Sequence, residues 1–267
     1  MNLLQAIIIA IVEGITEFLP ISSTGHMIIT EELMGIESTE FTKLFTVAIQ
    51  LGAILAVVVL YRKLFFDFSK WRFYGKLLVA VLPALVFGAL FSDQIDQLLE
   101  SPLTVSITML VGGVILLFVD RLFRQPVVES EERLSFSHAF RIGLWQCLAM
   151  IPGTSRSAAT IIGGMQQRLT RKFAAEFSFY LAVPTMCAAT GHKLLKGYHY
   201  FTAAHVQLLL VGNLVAFLVA MAAIRLFIGF LQQNGFRLFG WYRIITGIVL
   251  LLLIWQGVIS EIGRAHV

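Results

Sequence analysis

Charge is scarce in this chain. Lys, Arg, Asp and Glu make up only 13% of its 267 residues, about half of what a soluble domain uses to coat its surface. That shortage excludes a water-soluble globule, and a hydrophobic fraction of 58% excludes a disordered chain. Regular apolar–polar alternation is also missing, which a transmembrane barrel would show in runs of about ten residues. No basic segment precedes the first apolar run, which meets Glu13 and Glu17, so no cleavable leader is expected. Cysteine is nearly absent. Cys147 and Cys187 stand far apart in apolar stretches without metal-ligand spacing, and both read as small buried hydrophobes. What is abundant is unbroken apolar sequence, with a mean hydropathy of +0.83. The expected class is an all-α polytopic membrane protein.

A spanning helix needs about 20 mostly apolar residues. Six segments qualify: 42–61, 75–92, 103–122, 173–192, 206–226 and 240–258. Two further stretches, 3–35 and 137–168, are apolar but broken. The first breaks at Glu17-Phe18-Leu19-Pro20-Ile21-Ser22-Ser23-Thr24-Gly25-His26, the second around Pro152-Gly153-Thr154-Ser155-Arg156-Ser157. Pro and Gly interrupt a helix, and hydroxyl side chains supply replacement hydrogen bonds. Both stretches therefore read as re-entrant hairpins of helix, polar tip and helix.

The net charge of +4 fits basic loops on the cytoplasmic side better than a nucleic-acid partner, and none is expected. If the first full span runs outside to inside, the inner loops hold Arg62, Lys63, Lys70, Arg72, Lys76, Arg121, Arg124, Arg133, Arg141, Arg168, Arg171, Lys172, Arg225, Arg237 and Arg243. The outer side holds Lys43, Lys193 and Lys196 beside Glu31, Glu32, Glu37, Glu40, Asp93, Asp96 and Glu100. This is a positive-inside pattern. The stretch Tyr61–Tyr74 interleaves aromatics with cations, as an interfacial anchor or a contact for anionic membrane lipids would.

Sliding the chain against itself by 132 residues aligns its halves without a gap. Pro20 meets Pro152, Ser23 meets Ser155, and Phe41 and Phe45 meet Phe173 and Phe177. Each half, about 1–128 and 133–260, holds one hairpin and three spans, and an odd number of spans inverts the second half. The expectation is one membrane domain, 1–267, built of two inverted repeats with its working site where the tips meet. Ile262–Val267 reads as the translation of a sequencing adaptor, so 261–267 is expected to be a non-native tail.

Ionisable groups at membrane depth are costly and point to function. Glu13 and Glu17 are four apart on one helical face, where two carboxylates repel unless a cation or guanidinium lies between them. After each break a half-helix would begin, offering free N–H groups to an anion. Ser22, Ser23, Thr24 and His26 line the first, and Gly153, Ser155, Ser157 and Thr160 the second. Arg156 can clamp a phosphate or pair with Glu13 or Glu17. His26 can act as nucleophile or as general acid and base. Gln146 precedes the second tip and lines the same cavity. Gln50 and Asn213 suit helix–helix hydrogen bonds, and Glu176 suits a pair with Arg171 or Lys172. His192, His199 and His205 show no metal-like grouping, and Met186 and Gly112-Gly113 read as packing.

Two long signatures carry these residues: Glu13-Gly14-Ile15-Thr16-Glu17-Phe18-Leu19-Pro20-Ile21-Ser22-Ser23-Thr24-Gly25-His26-Met27, and Gln146-Cys147-Leu148-Ala149-Met150-Ile151-Pro152-Gly153-Thr154-Ser155-Arg156-Ser157-Ala158-Ala159-Thr160. Here the chain closely resembles the undecaprenyl-diphosphate phosphatase family, also called the bacitracin-resistance protein family. Ala158 departs from it, where Gly is common. The resemblance implies an inner-membrane enzyme that hydrolyses the C55 isoprenoid diphosphate to its monophosphate, recycling the lipid carrier for peptidoglycan. It implies bacitracin resistance, a divalent cation (Mg²⁺ or Ca²⁺), and a site opening to the outer face, with Glu13 and Glu17 either binding the metal or positioning the attacking group. Ser23, His26, Ser155 and Arg156 would bind and activate the diphosphate. It leaves the nucleophile open among Ser23, His26 and a metal-bound water; the chemistry favours the latter two, since a serine needs an adjacent base. A homodimer is also left open. The rivals are a lipid-phosphate transporter, which would have little use for the carboxylate pair, and an inactive scaffold, which would not justify burying Glu13, Glu17 and Arg156.

Overall fold

The computed structural model describes residues 1–91, 94, 98, 101–197 and 202–259, with backbone only at 203–204. The expected tail at 261–267, together with Asp93, Asp96, Glu100 and His199, lies outside the described residues. Numbering the helices of eight or more residues, the order is α1 Leu3–Thr16, α2 Ser23–Leu33, α3 Glu40–Ala48, α4 Gln50–Leu60, α5 Trp71–Leu90, α6 Pro102–Leu122, α7 Phe136–Cys147, α8 Arg156–Gln166, α9 Arg171–Gly197, α10 Ala203–Asn234 and α11 Arg237–Trp255. No strand occurs among the described residues, only one isolated bridge between Val128 and Leu169.

Most of these helices begin on a side chain that satisfies the free N–H groups of a first turn. Asn2 forms a capping box with Gln5, Thr39 one with Thr42, and Ser101 caps α6 ahead of Pro102. Ser135 and Thr202 do the same for α7 and α10. Five helices among the described residues are long and apolar enough to cross a membrane: Glu40–Leu60, Phe68–Leu90, Pro102–Leu122, His205–Asn234 and Arg237–Trp255. The sixth expected segment, 173–192, lies in α9, which has the length but is less apolar.

The fold wears its apolar side chains outward. Leu78, Leu82 and Leu85 on α5, and Leu210, Leu214 and Leu218 on α10, are exposed at helical spacing. Such a surface is stable only in lipid, so this is an all-α, multi-pass membrane protein. Cys187 is exposed too, contrary to the expectation that both cysteines are buried. A thiol is apolar enough to face lipid.

With lipid outside, helices associate through close packing rather than hydrophobic burial. Gly14 of α1 sits where a Cβ would lie 2.9 Å from the Ala216 carbonyl oxygen of α10. Gly143 of α7 sits likewise, at 2.3 Å from the Ala80 carbonyl oxygen of α5. Each hairpin's first helix thus lies along a helix of the other half, and α6 lies along α11. Asn213 Oδ1 accepts the Gly52 N–H at 2.7 Å, joining α10 to α4 as expected for that residue.

Candidate active site at the two helix breaks

α1 ends at Thr16 and α2 begins at Ser23; α7 ends at Cys147 and, after a short 3-10 turn, α8 begins at Arg156. Both breaks expected from the Pro, Gly and hydroxyl residues are therefore present. Ser22 caps α2 with φ 70° and ψ 99°, and Ser155 caps α8 with φ 71° and ψ 114°. Each serine accepts from the N–H three residues on, Gly25 at 3.4 Å and Ala158 at 3.3 Å. Left-handed φ at a residue carrying a Cβ is strained and gathers at functional sites. The matching caps also shift the register by one residue from the sequence alignment. Ser22, not Ser23, is the counterpart of Ser155, and Ser23 corresponds to Arg156.

That correspondence gives the site its centre. Ser23 Oγ donates to Glu17 Oε2 at 2.8 Å, and Arg156 Nη2 donates to Glu17 Oε1 at 2.9 Å. The first residue of each half-helix thus holds one oxygen of the same carboxylate. Of the two partners the sequence allowed for Arg156, the ion pair is with Glu17, both side chains being nearly buried. Arg156 also donates to the Ser178 carbonyl oxygen at 3.1 Å and to Met186 Sδ at 3.3 Å, and its guanidinium lies over the Phe18 ring. Met186 is therefore a ligand of the arginine as well as packing.

Around this pair the polar accounting is incomplete. Among the described residues five buried side-chain atoms lack a hydrogen-bond partner, and three of them are Glu13 Oε1, Gln146 Nε2 and Arg156 Nε. Such orphans are rare in folded proteins and call for a partner. Glu13 is 1% exposed and its carboxyl faces that of Glu17. Gln146 Oε1 accepts from Thr185 Oγ1, beside Met186. The set comprises one acceptor waiting for a cation or proton and two donors waiting for an anion.

His26 sits one turn into α2. Its Nδ1 donates to the Ser22 carbonyl oxygen at 2.7 Å, and its Nε2 meets Tyr242 Oη at 2.8 Å. A carbonyl can only accept, so the neutral ring keeps its proton on Nδ1 and Nε2 takes the tyrosine O–H. Thr24 stands half-exposed at the second position of α2. Ser157 Oγ donates to the Leu19 carbonyl oxygen at 2.7 Å, tying the second tip to the first, and lies 3.1 Å from Ser155 Oγ. Gly153 takes φ 83° against Thr108 and Val105, where a Cβ would have no room. Thr160 is set apart: its hydroxyl is spent on the Arg156 carbonyl and Ser178 Oγ, one turn behind the tip.

Two residues of the tips' surroundings escaped the sequence reading. Arg243, counted above with the inner-loop cations, is instead fully buried among the tips, and Tyr242 beside it holds His26. An ionisable residue inside the apolar window 240–258 was the available signal. Elsewhere, Glu176 faces Lys172 at 4.0 Å while Arg171 pairs with Asp120 at 2.6 Å, and His205 stacks on Phe41.

A helical membrane bundle interrupted by two strained polar tips, with two buried carboxylates and a nearly buried guanidinium between them, defines an integral membrane protein with a charged intramembrane site. The chain belongs to the bacitracin resistance protein BacA family, whose model matches residues 6–249. It is 60% identical over 259 residues to a protein named undecaprenyl-diphosphatase from Flavobacterium psychrophilum, covering 95% of this chain and 96% of that one. It is 57% identical to the protein of that name from Flavobacterium johnsoniae, again over 95% and 96% of the two chains. A third, from Porphyromonas gingivalis, is 51% identical over 97% of this chain and 99% of its own.

Proposed function

We propose that this chain hydrolyses undecaprenyl diphosphate to undecaprenyl phosphate and inorganic phosphate, recycling the lipid carrier for peptidoglycan synthesis and conferring bacitracin resistance. The family and the names of its relatives support the activity. The observation that carries the site is Glu17, whose two oxygens take Ser23 from one tip and Arg156 from the other.

Free N–H groups at the starts of α2 and α8, with Arg156 Nε and Gln146 Nε2, receive the diphosphate oxygens. Glu17 is the adjacent base that a serine nucleophile requires. Ser23 Oγ attacks the terminal phosphorus as its proton passes to Glu17. The bond from that phosphorus to the bridging oxygen breaks, and its electron pair leaves with undecaprenyl phosphate. Water then attacks the phosphoserine; its proton goes to His26 Nε2 as the Tyr242 hydroxyl gives way there, the Ser22 carbonyl keeps the ring in orientation, and His26 afterwards releases that proton to solvent. Inorganic phosphate departs as Ser23 Oγ recovers a proton from Glu17.

Glu13 Oε1, orphaned and facing Glu17, suits a hard divalent cation, Mg²⁺ or Ca²⁺. Among the described residues no group of three or more His, Cys, Asp and Glu side chains stands ready to hold a metal. The carboxylate pair would therefore share the ion with substrate oxygens and water, as is common for Mg²⁺. Bound there, the ion would offset the diphosphate charge.

The two halves act as inverted repeats that bring the tips together. Membership of the family implies a bacterial inner-membrane location with the tips opening to the periplasmic face, an orientation that the positive-inside charge pattern permits.

The test is purified protein in nanodiscs given C55 diphosphate. Phosphate release, abolished by chelator, and an acid-trapped phosphoserine that disappears in Ser23→Ala are expected. Release without a trapped intermediate, undiminished in Ser23→Ala, would discard the serine route. No release, with transport of the lipid across liposomes, would replace hydrolysis by translocation.

A further inference from the structure

Arg243 is the largest fully buried side chain among the described residues, at 0% exposure, and no carboxylate lies within ion-pairing distance there. Its five N–H groups go instead to five backbone carbonyls. Nε donates to Met109 at 3.3 Å, and Nη2 to Thr108 at 3.1 Å and Gly153 at 2.8 Å. Nη1 donates to Pro20 at 3.3 Å and Thr154 at 2.9 Å, so one nitrogen joins the first tip to the second. Gly112 of α6 leaves the room: a Cβ there would lie 2.4 Å from Nη2.

An unpaired buried cation costs several kcal/mol in desolvation, so a fold that keeps one gains something from it. The second tip shows what. In a trans peptide the C=O and the following N–H point in opposite directions. By drawing the Thr154 carbonyl to itself, Arg243 turns the Ser155 N–H away, toward the start of α8. The Arg156 and Ser157 N–H groups, free by the geometry of a first turn, lie there too. Arg156 has its charge met by Glu17; Arg243 has none to meet it.

We propose that Arg243 is a positioning residue for the reaction: from behind the tips it aims the second tip's N–H donors at the diphosphate and supplies the site's unneutralised positive charge. This deepens the reading above and rests on it. The contribution is greatest in the transition state, where fixed donors cost no reorganisation as charge builds on the phosphoryl oxygens.

Two variants separate this from a purely structural role. Arg243→Lys keeps the charge but offers three donors in place of five. Gly112→Ala keeps Arg243 but takes the space of its guanidinium. In nanodiscs, with folding checked by circular dichroism and melting, both are expected to lower kcat at least tenfold with KM within about threefold. Arg243→Gln, which also removes the charge, is expected to raise KM further. Arg225→Gln, losing an exposed cation, serves as control and keeps parent kinetics. Folded Arg243→Lys and Gly112→Ala proteins with parent kcat would overturn the proposal, as would unfolding of both. Glu17→Ala and Arg156→Ala run alongside. If they too keep parent activity, the site itself is misplaced; if they are inactive while Arg243→Lys is not, only the role of Arg243 falls.

Discussion

Ser22 and Ser155 hold nearly one backbone conformation, with φ of 70° and 71°, at the starts of two half-helices more than a hundred residues apart. Each side chain caps its own helix, and the strain at each, about 1–3 kcal/mol, is borne by the surrounding packing. Glycine would relieve that strain and lose only a few tenths of a kcal/mol of capping. Ser22→Gly is therefore expected to melt at or above the parent temperature, and Ser22→Ala, which keeps the Cβ and loses the cap, clearly below it. Thermal melting in nanodiscs checks both, and an alanine variant melting above the glycine variant would contradict the strain.

In the Glu17–Arg156 pair the carboxylate is buried and the guanidinium nearly so, so removing one partner strands the other charge. Glu17→Gln and Arg156→Gln should each lose about 3–5 kcal/mol of stability. The double variant is expected to lose clearly less than the sum, while remaining inactive. Denaturation of the four proteins closes the cycle, and strict additivity would mean the pair does not couple.

Glu13 offers its free oxygen to a cation in the proposed site. Glu13→Gln is expected to need at least tenfold more Mg²⁺ for half-maximal phosphate release, with the apparent KM for lipid changed little at saturating metal. An unchanged metal requirement would remove Glu13 from the cation site.

Tyr242 holds His26 through Nε2 at 2.8 Å. Losing one hydrogen bond of about 1 kcal/mol, Tyr242→Phe is expected to lower kcat roughly fivefold and leave KM alone. Steady-state kinetics decides it, and a rise in KM with unchanged kcat would place Tyr242 on the substrate instead.

Between α4 and α10, Asn213→Leu removes the interhelical acceptor of the Gly52 N–H and leaves it only the Ile49 carbonyl oxygen at 3.1 Å. Interhelical hydrogen bonds in membranes contribute about 0.6 kcal/mol on average, and a loss of about 1 kcal/mol in unfolding experiments is expected, without change in turnover.

Much of this molecule was legible before any coordinate. Apolar run lengths gave the class, and the Pro, Gly and hydroxyl clusters located both helix breaks, because those residues act locally. Glu13, Glu17, His26 and Arg156 stood out because ionisable groups are rare in such sequence. Contacts fixed by tertiary packing were out of reach. Arg156 had two candidate carboxylates, and only the approach of the tips selects Glu17. Ser23 lacked a visible base for the same reason. Arg243 was hidden by its position near the end of a span, where a cation ordinarily faces a loop. The one-residue change of register between the tips was masked by the matching prolines, Pro20 and Pro152.

The crossing of α1 onto α10, and of α7 onto α5, bears on how the protein is made. When the first hairpin leaves the ribosome, the helix it will lie against has not yet been synthesised. Its buried glutamates must wait in the translocation machinery or the lipid until α10 inserts. Assembly is thus postponed to the end of translation, and neither half expressed by itself would form the site. Two halves produced as separate polypeptides in one cell could rebuild it by pairing in the bilayer.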